Sequence, residues 1–92
     1  MIKSVKHKGL RQLYETDSAK LINPMQESRI RKILNILDRA KTINDIDLPG
    51  YGLHKLKGFK QERWSVKVTG NWRVTFHFAN GNSYDINLED YH

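Results

Sequence analysis

The sequence contains no cysteine, only 2 prolines and no long apolar run. Without cysteine the chain can form neither disulfides nor thiolate metal sites, which fits a reducing cytosol. The most apolar stretch is short and broken by charge, so no segment predicts a membrane span or a signal-peptide core. The 4 histidines show no HExxH or comparable metal-ligand spacing. We therefore predict a cytoplasmic chain with no metal, no other cofactor and no membrane partner.

Acidic residues are also scarce relative to basic ones. Lys and Arg number 16 against 10 Asp and Glu, which gives a net charge of +6 and a pI near 9.7. Such a charge favours a polyanionic partner through counterion release, with nucleic acid ahead of an acidic protein. A length of 92 residues predicts one domain, residues 1–92, with one modest core.

Helical spacing dominates the first half of the chain. Residues 2–6 read as a short first strand, and from Lys8 onward Leu10, Leu13 and Tyr14 share one helical face. Asn23-Pro24 is predicted to begin a second helix, because Asn caps free N–H groups and Pro fits the first turn. The apolar stripe of that helix is Ile30, Ile33, Leu34, Leu37 and Ala40. Residues 42–52 read as a loop with one helical turn.

Alternation with a period of two replaces the helical pattern in the second half. Residues 52–58 are predicted to be the first strand of a meander, and residues 63–68, 72–78 and 83–88 to be the next three. Gly70-Asn71 and Asn80-Gly81 supply the positive φ that tight hairpin turns require. The predicted fold class is α+β: a compact antiparallel sheet, mixed through the short N-terminal strand, with two N-terminal helices packed on one face.

Residues suited to RNA cleavage fall on the sheet and at the end of the chain. If Trp72, Val74 and Phe76 face the helices, then Arg73, Thr75 and His77 project from the other side. Metal-free cleavage needs a base for the ribose 2′-OH, an acid for the leaving 5′-oxygen and cations for the phosphate. The candidates for base and acid are His54, Asp90 and His92, and the candidate cations are Lys57 and Arg73.

Each further candidate has a plain alternative. Tyr91 either stacks on a base or packs at the sheet edge, and Asn71 either contacts the N6 and N7 edge of adenine or only shapes its turn. His54 alone would be an ordinary surface histidine, and Arg73 alone a cross-strand ion pair. A basic edge without acids either binds RNA or is a solvated face, and it comprises Lys3, Lys6, Lys8 and Arg11.

Four motifs are distributed along essentially the whole chain: Met-Ile-Lys-Ser with Lys-His-Lys-Gly-Leu at residues 1–10, Leu-His-Lys-Leu-Lys-Gly at 53–58, Gly-Asn-Trp-Arg-Val-Thr-Phe at 70–76, and Glu-Asp-Tyr-His at 89–92. Together they resemble the HigB toxins of the RelE/ParE superfamily. The Trp-Arg pair is shared widely in the superfamily, whereas the terminal Asp-Tyr-His with Leu-His-x-Leu-Lys-Gly is more specific to HigB.

This resemblance implies a ribosome-dependent endoribonuclease that cuts mRNA in the ribosomal A site, through 2′-OH attack that leaves a cyclic phosphate. It also implies a helix-turn-helix antitoxin, HigA, which neutralises the toxin. The pair would contact operator DNA through this antitoxin. The matching His54, Asp90, Tyr91 and His92 are the residues associated with cleavage, and Lys57 and Arg73 lie at positions suited to phosphate. Residues 59–63 depart from the family, which usually reads more like Asp-Arg-x-Gly-Tyr there.

Two other functions remain open for the same fold. One is a non-catalytic or ParE-like toxin that inhibits gyrase, in which the matching acids and histidines are generally absent. The other is a simple basic module that binds nucleic acid without catalysis, as the charge alone would allow. Loss of mRNA cleavage on substitution of Asp90 or His92 would separate the nuclease from both.

Overall fold

The computed structural model describes residues 1–91. Its helices are α1 (Lys8–Thr16) and α2 (Glu27–Arg39), followed by a 3-10 turn at Ile43–Ile46. Its strands are β1 (His54–Leu56), β2 (Arg63–Lys67), β3 (Trp72–Ala79) and β4 (Asn82–Asp90). Each strand pairs antiparallel with the next, in the order β1-β2-β3-β4. The predicted α+β class, with helices first and the meander second, is confirmed.

The N-terminal segment lies beside β4 and runs parallel to it. Isolated bridges join Ile2 to Ser83 and Val5 to Ile86. The amide of Lys3 donates to the Ser83 carbonyl and that of Lys6 to the Ile86 carbonyl, both at 2.8 Å. The predicted first strand is therefore present as this bridged segment, and it covers the β4 edge of an otherwise antiparallel sheet.

Helix α1 begins at Lys8, as its spacing predicted. Leu10 and Leu13 are buried, whereas Tyr14 is 40% exposed and donates from its hydroxyl to Asp38 at 3.1 Å. Tyr14 thus anchors α1 to α2 from the outside of the core. Gly9 permits the close approach of the following loop, because a Cβ there would lie 2.9 Å from the Leu21 carbonyl oxygen.

His7 caps α1, and the cap makes stability depend on pH. Its Nδ1 accepts from the Leu10 amide at 3.2 Å, which requires that nitrogen to be unprotonated. Burial lowers the pKa of His7 below its ordinary value of 6.5. The stabilisation is therefore complete above pH 6.5 and is lost as the pH falls through the lowered pKa of the folded state.

We expect His7→Asn to remove this part of the pH dependence, because Asn is a good N-cap that does not titrate. Urea unfolding of the two proteins at pH values between about 5 and 8 measures the difference in stability. The wild type should lose stability relative to His7→Asn as the solution becomes more acidic. A constant difference between the two proteins would refute the titrating cap.

Helix α2 begins at Glu27 rather than at Asn23-Pro24, so the predicted start was wrong by about one turn. The Asn23 side chain accepts from the Met25 amide at 2.9 Å, and its carbonyl accepts from the Gln26 amide at 2.9 Å. Asn side chains compete in this way with the helical pattern and favour a turn. The Asn-Pro pair forms the turn that leads into the helix.

The core lies between the two helices and one face of the sheet. From the helices it includes Leu10, Leu13 and the predicted stripe of α2, and from the sheet Val66, Val74, Phe76 and Ile86. The stripe residues Ile30, Ile33, Leu34, Leu37 and Ala40 are all buried, which confirms their assignment to the core.

The two predicted hairpin turns differ in their backbone. Asn80 and Gly81 both have positive φ, at 52° and 75°, as a type I′ turn requires. At the other turn only Gly70 has positive φ, at 53°, so the prediction was wrong for Asn71. A further irregularity lies where the β3–β4 register shifts between Thr75 and His77, and Asp85 there has a φ of 51°. This shift is a β-bulge on β4.

Neither helix in residues 1–91 has the length and apolar character needed to cross a lipid bilayer.

Candidate active site

The face of the sheet that points away from the helices is polar; we call it the open face. Cross-strand pairs on this face join Ser65 to Thr75, Lys67 to Arg73 and Arg73 to Glu89. Their neighbours in sequence, Val66 and Val74, are buried in the core. Strand alternation therefore places Arg73, Thr75 and His77 on this face, as predicted.

Four candidate residues lie at the end of the sheet where β3 begins and β4 ends, on both of its faces: Asn71, Arg73, Asp90 and Tyr91. The Tyr91 amide donates to the Asn71 carbonyl at 2.8 Å, which extends the ladder one residue beyond β4. Asp90 lies directly opposite Trp72, and Glu89 opposite Arg73. By strand alternation, the Tyr91 side chain lies on the same face of the sheet as Arg73. Asp90 lies on the face that packs against the helices, and its cross-strand partner Trp72 is 39% exposed there. His92 lies outside the described residues.

His54 and Lys57 lie at the opposite edge of the sheet. His54 is the exposed first residue of β1 and pairs with Ser65, so it points to the open face. Lys57 follows β1, is exposed and precedes Gly58. Strands β1 and β4 are three spacings apart, or about 14 Å across the sheet. The structure thus puts His54 on the same face as Arg73 but not in contact with the end of β4.

The predicted basic residues Lys3, Lys6, Lys8 and Arg11 are all exposed, along the N-terminal segment and the first turns of α1. Because this segment flanks β4, these residues border the edge opposite β1. Lys6 also lines a groove on the open face.

Sequence reasoning missed a hydrogen-bond network in the middle of the open face. The Thr75 hydroxyl donates to Glu89 Oε2 at 2.6 Å and accepts from Arg63 Nη2 at 3.2 Å. Arg63 Nη2 also donates to the Asp85 carbonyl at 3.1 Å. In the sequence, strand alternation indicates only that Arg63, Thr75 and Glu89 lie on one face of the sheet. The strand register is what makes them neighbours.

Within residues 1–91, no three His, Asp or Glu side chains lie close enough together to hold a metal ion.

Comparison with known proteins identifies the fold. A family model described as RelE-like toxin of type II toxin-antitoxin system HigB matches residues 3–92. The chain is also 44% identical over 92 residues to Endoribonuclease HigB of Proteus vulgaris, and the alignment covers 100% of both chains. The two helices, the antiparallel meander and the match over nearly the whole length place this protein in the class of RelE-like toxins.

Within that class, the chain belongs to the HigB family of type II toxin-antitoxin systems. It is therefore the toxin of a pair whose other member is an antitoxin.

Proposed function

We propose that this toxin is an endoribonuclease that cleaves mRNA in the ribosomal A site during translation, through 2′-OH attack and without a metal. The observation that carries the proposal is the full-length match to a relative named as an endoribonuclease. The residue types that the chemistry requires support it, since His54, Asp90 and His92 are all present. Acids and bases of this kind contribute to catalysis by moving protons in the transition state.

The proposed roles follow the chemistry of each side chain. His54, Asp90 and His92 act as a group that supplies the base and the acid, with Tyr91 beside them. Lys57 and Arg73 hold the phosphate, for which the planar guanidinium of Arg73 offers two parallel donors. The Arg73 guanidinium makes no hydrogen bond or ion pair with any of residues 1–91, so its donors are available to a ligand. Asn71 and Tyr91 contact bases.

The exposure of His54, Lys57 and Asp90 supports a substrate that a larger partner presents to them. A flexible RNA loses conformational entropy when it is held in this way. The ribosome already holds its mRNA, and the exposed basic residues Lys3, Lys6, Lys8 and Arg11 are suited to bind ribosomal RNA.

The test is cleavage of a defined mRNA by the purified toxin, with and without translating ribosomes, mapped by primer extension. We expect cuts at A-site codons only when ribosomes are present, together with the cyclic phosphate end that 2′-OH attack leaves. Growth arrest without any mRNA cleavage would favour a gyrase poison or a nucleic-acid-binding module instead. Cleavage of free mRNA at the same rate would refute the dependence on ribosomes.

We propose that the partner is a HigA-type helix-turn-helix antitoxin and that the pair binds operator DNA only through this antitoxin. The toxin itself, as one domain spanning residues 1–92, acts in the cytoplasm where ribosomes translate. A short neighbouring frame that encodes such a protein, and that relieves growth arrest on co-expression, would support this assignment.

A further inference from the structure

A groove of about 490 Å³ lies on the open face, between the β1–β2 loop and β4. Its volume falls in the range of sites that hold small organic groups. The residues that line it are Lys6, Phe59, Arg63, Asp85, Asn87 and Glu89. None of them belongs to the set assigned to catalysis above, although Lys6 is part of the basic edge.

One wall of the groove is an exposed aromatic ring. Phe59 is 53% exposed, and the Arg63 guanidinium carbon lies 5.9 Å from its ring centroid. Aromatic rings and guanidinium planes are the surfaces on which proteins stack unpaired RNA bases. Phe59 also begins the stretch in which this chain departs from the sequence expected of its family.

Hydrogen bonds hold two polar residues of the groove, Arg63 and Glu89, in position. Glu89 Oε2 accepts from Thr75 at 2.6 Å, and Arg63 is held by Thr75 and by the Asp85 carbonyl. The Asn87 side chain makes no hydrogen bond to any of residues 1–91 in the structure. The groove therefore presents a carboxylate and an amide whose remaining hydrogen-bonding positions are open to a ligand.

The charges in the groove favour a base over a phosphate. Lys6 and Arg63 are balanced by Asp85 and Glu89, so the groove has no excess of positive charge. A carboxylate repels phosphate but accepts hydrogen bonds from the exocyclic amino group of a base, as acidic side chains do with cytosine N4. Uracil has no amino group, so N3–H is the one donor that its base-pairing edge offers to a carboxylate.

We propose that this groove is a nucleobase subsite for the RNA strand, in which Phe59 stacks on an unpaired base and Glu89 and Asn87 read its edge. The inference rests on the proposed function, because it places a flanking nucleotide of the mRNA in the groove while the scissile phosphate lies nearer Arg73. Bases that carry an amino group are favoured over uracil.

Binding of short single-stranded RNAs tests the subsite without cleavage. The probes are fluorescent adenine and uracil oligonucleotides whose 2′-O-methyl groups block 2′-OH attack, and the readout is fluorescence anisotropy. Phe59→Ala should weaken binding of the adenine probe by about tenfold or more, the usual loss when a stacking aromatic is removed. Phe59→Trp should keep binding, and Gln61→Ala, an exposed neutral residue of the same loop, serves as the matched control.

Glu89→Gln tests the reading of the base edge. The amide still offers an oxygen to the Thr75 hydroxyl, but its NH₂ group can now donate to the O4 acceptor of uracil. The preference for the adenine probe over the uracil probe should therefore decrease or reverse. An unchanged preference in this variant, or unchanged affinity in Phe59→Ala, would overturn the subsite.

Cleavage assays on ribosomes separate failure of the subsite from failure of the proposed function. If the wild type cuts mRNA and Phe59→Ala cuts equally well with the same dependence on flanking bases, the subsite is refuted and the nuclease stands. If the wild type cuts no mRNA while Phe59→Ala still loses affinity for the adenine probe, the nuclease is refuted and the subsite stands.

Discussion

Replacing His54 with alanine should slow mRNA cleavage on translating ribosomes by about 10²- to 10⁴-fold, the usual contribution of a general acid or base. We expect losses of similar size for Asp90→Ala and His92→Ala, because we propose that the three residues act as one catalytic group. His54 is exposed, and surface substitutions of this kind change stability by no more than about 0.5 kcal/mol. The loss should therefore appear in single-turnover cleavage rates and not in the thermal unfolding midpoint.

His7→Asn is the matched control, since it removes a histidine that caps α1 on the far side of β4 from His54. Ribosome binding should be retained in all four variants, which a sedimentation assay can measure. If His54→Ala and Asp90→Ala both arrest growth and cut mRNA as fast as the wild type, the acid and base groups are misassigned and the nuclease proposal fails.

Replacing Phe76 with alanine should lower the free energy of unfolding by about 3–5 kcal/mol, the usual cost of deleting a buried aromatic ring. Phe76 is completely buried, pairs with Trp64 across β2 and β3, and lies where the bulge on β4 interrupts the register. Removing the ring leaves a cavity between the sheet and the helices. Small domains have total stabilities of about 5–15 kcal/mol. A large share of the Phe76→Ala molecules should therefore be unfolded at elevated temperature.

Urea unfolding measures this loss, and Phe59→Ala is the matched control. Both substitutions remove the same ring, but Phe59 is 53% exposed, so its removal should cost far less. Equal losses in the two variants would contradict the burial that the structure gives to Phe76. Activity per folded molecule should be unaffected by Phe76→Ala at low temperature, because the side chain does not reach the open face.

The secondary structure could be predicted because its causes are local. The apolar stripe of α2 and the alternation of β3 each follow from side chains a few residues apart. Asn80-Gly81 was predictable for the same reason, since both residues tolerate positive φ. The start of α2 was not, because the Asn23 side chain bonds the Met25 amide and holds a turn instead of a helix.

The residues of the candidate site are a prediction from the sequence, and the structure adds where they lie. Alternation alone put Arg73 and His77 on the open face, and the chemistry of RNA cleavage together with the motif resemblance selected His54 and Asp90. The distance between them depends on strand order, which sets β1 and β4 at opposite edges of the antiparallel meander. The meander predicted from alternation and hairpin turns already implied this separation.

The sequence by itself therefore determined the helices and strands, the positive charge and the kinds of side chain available for RNA chemistry. Only the tertiary structure decided which of these side chains are neighbours. The Thr75 hydroxyl meets Glu89 and Arg63 because three strands pair in one register, and Phe59 borders their groove because its loop folds over the sheet. Such contacts join residues far apart in sequence, so they form only when the whole sheet closes on the helices.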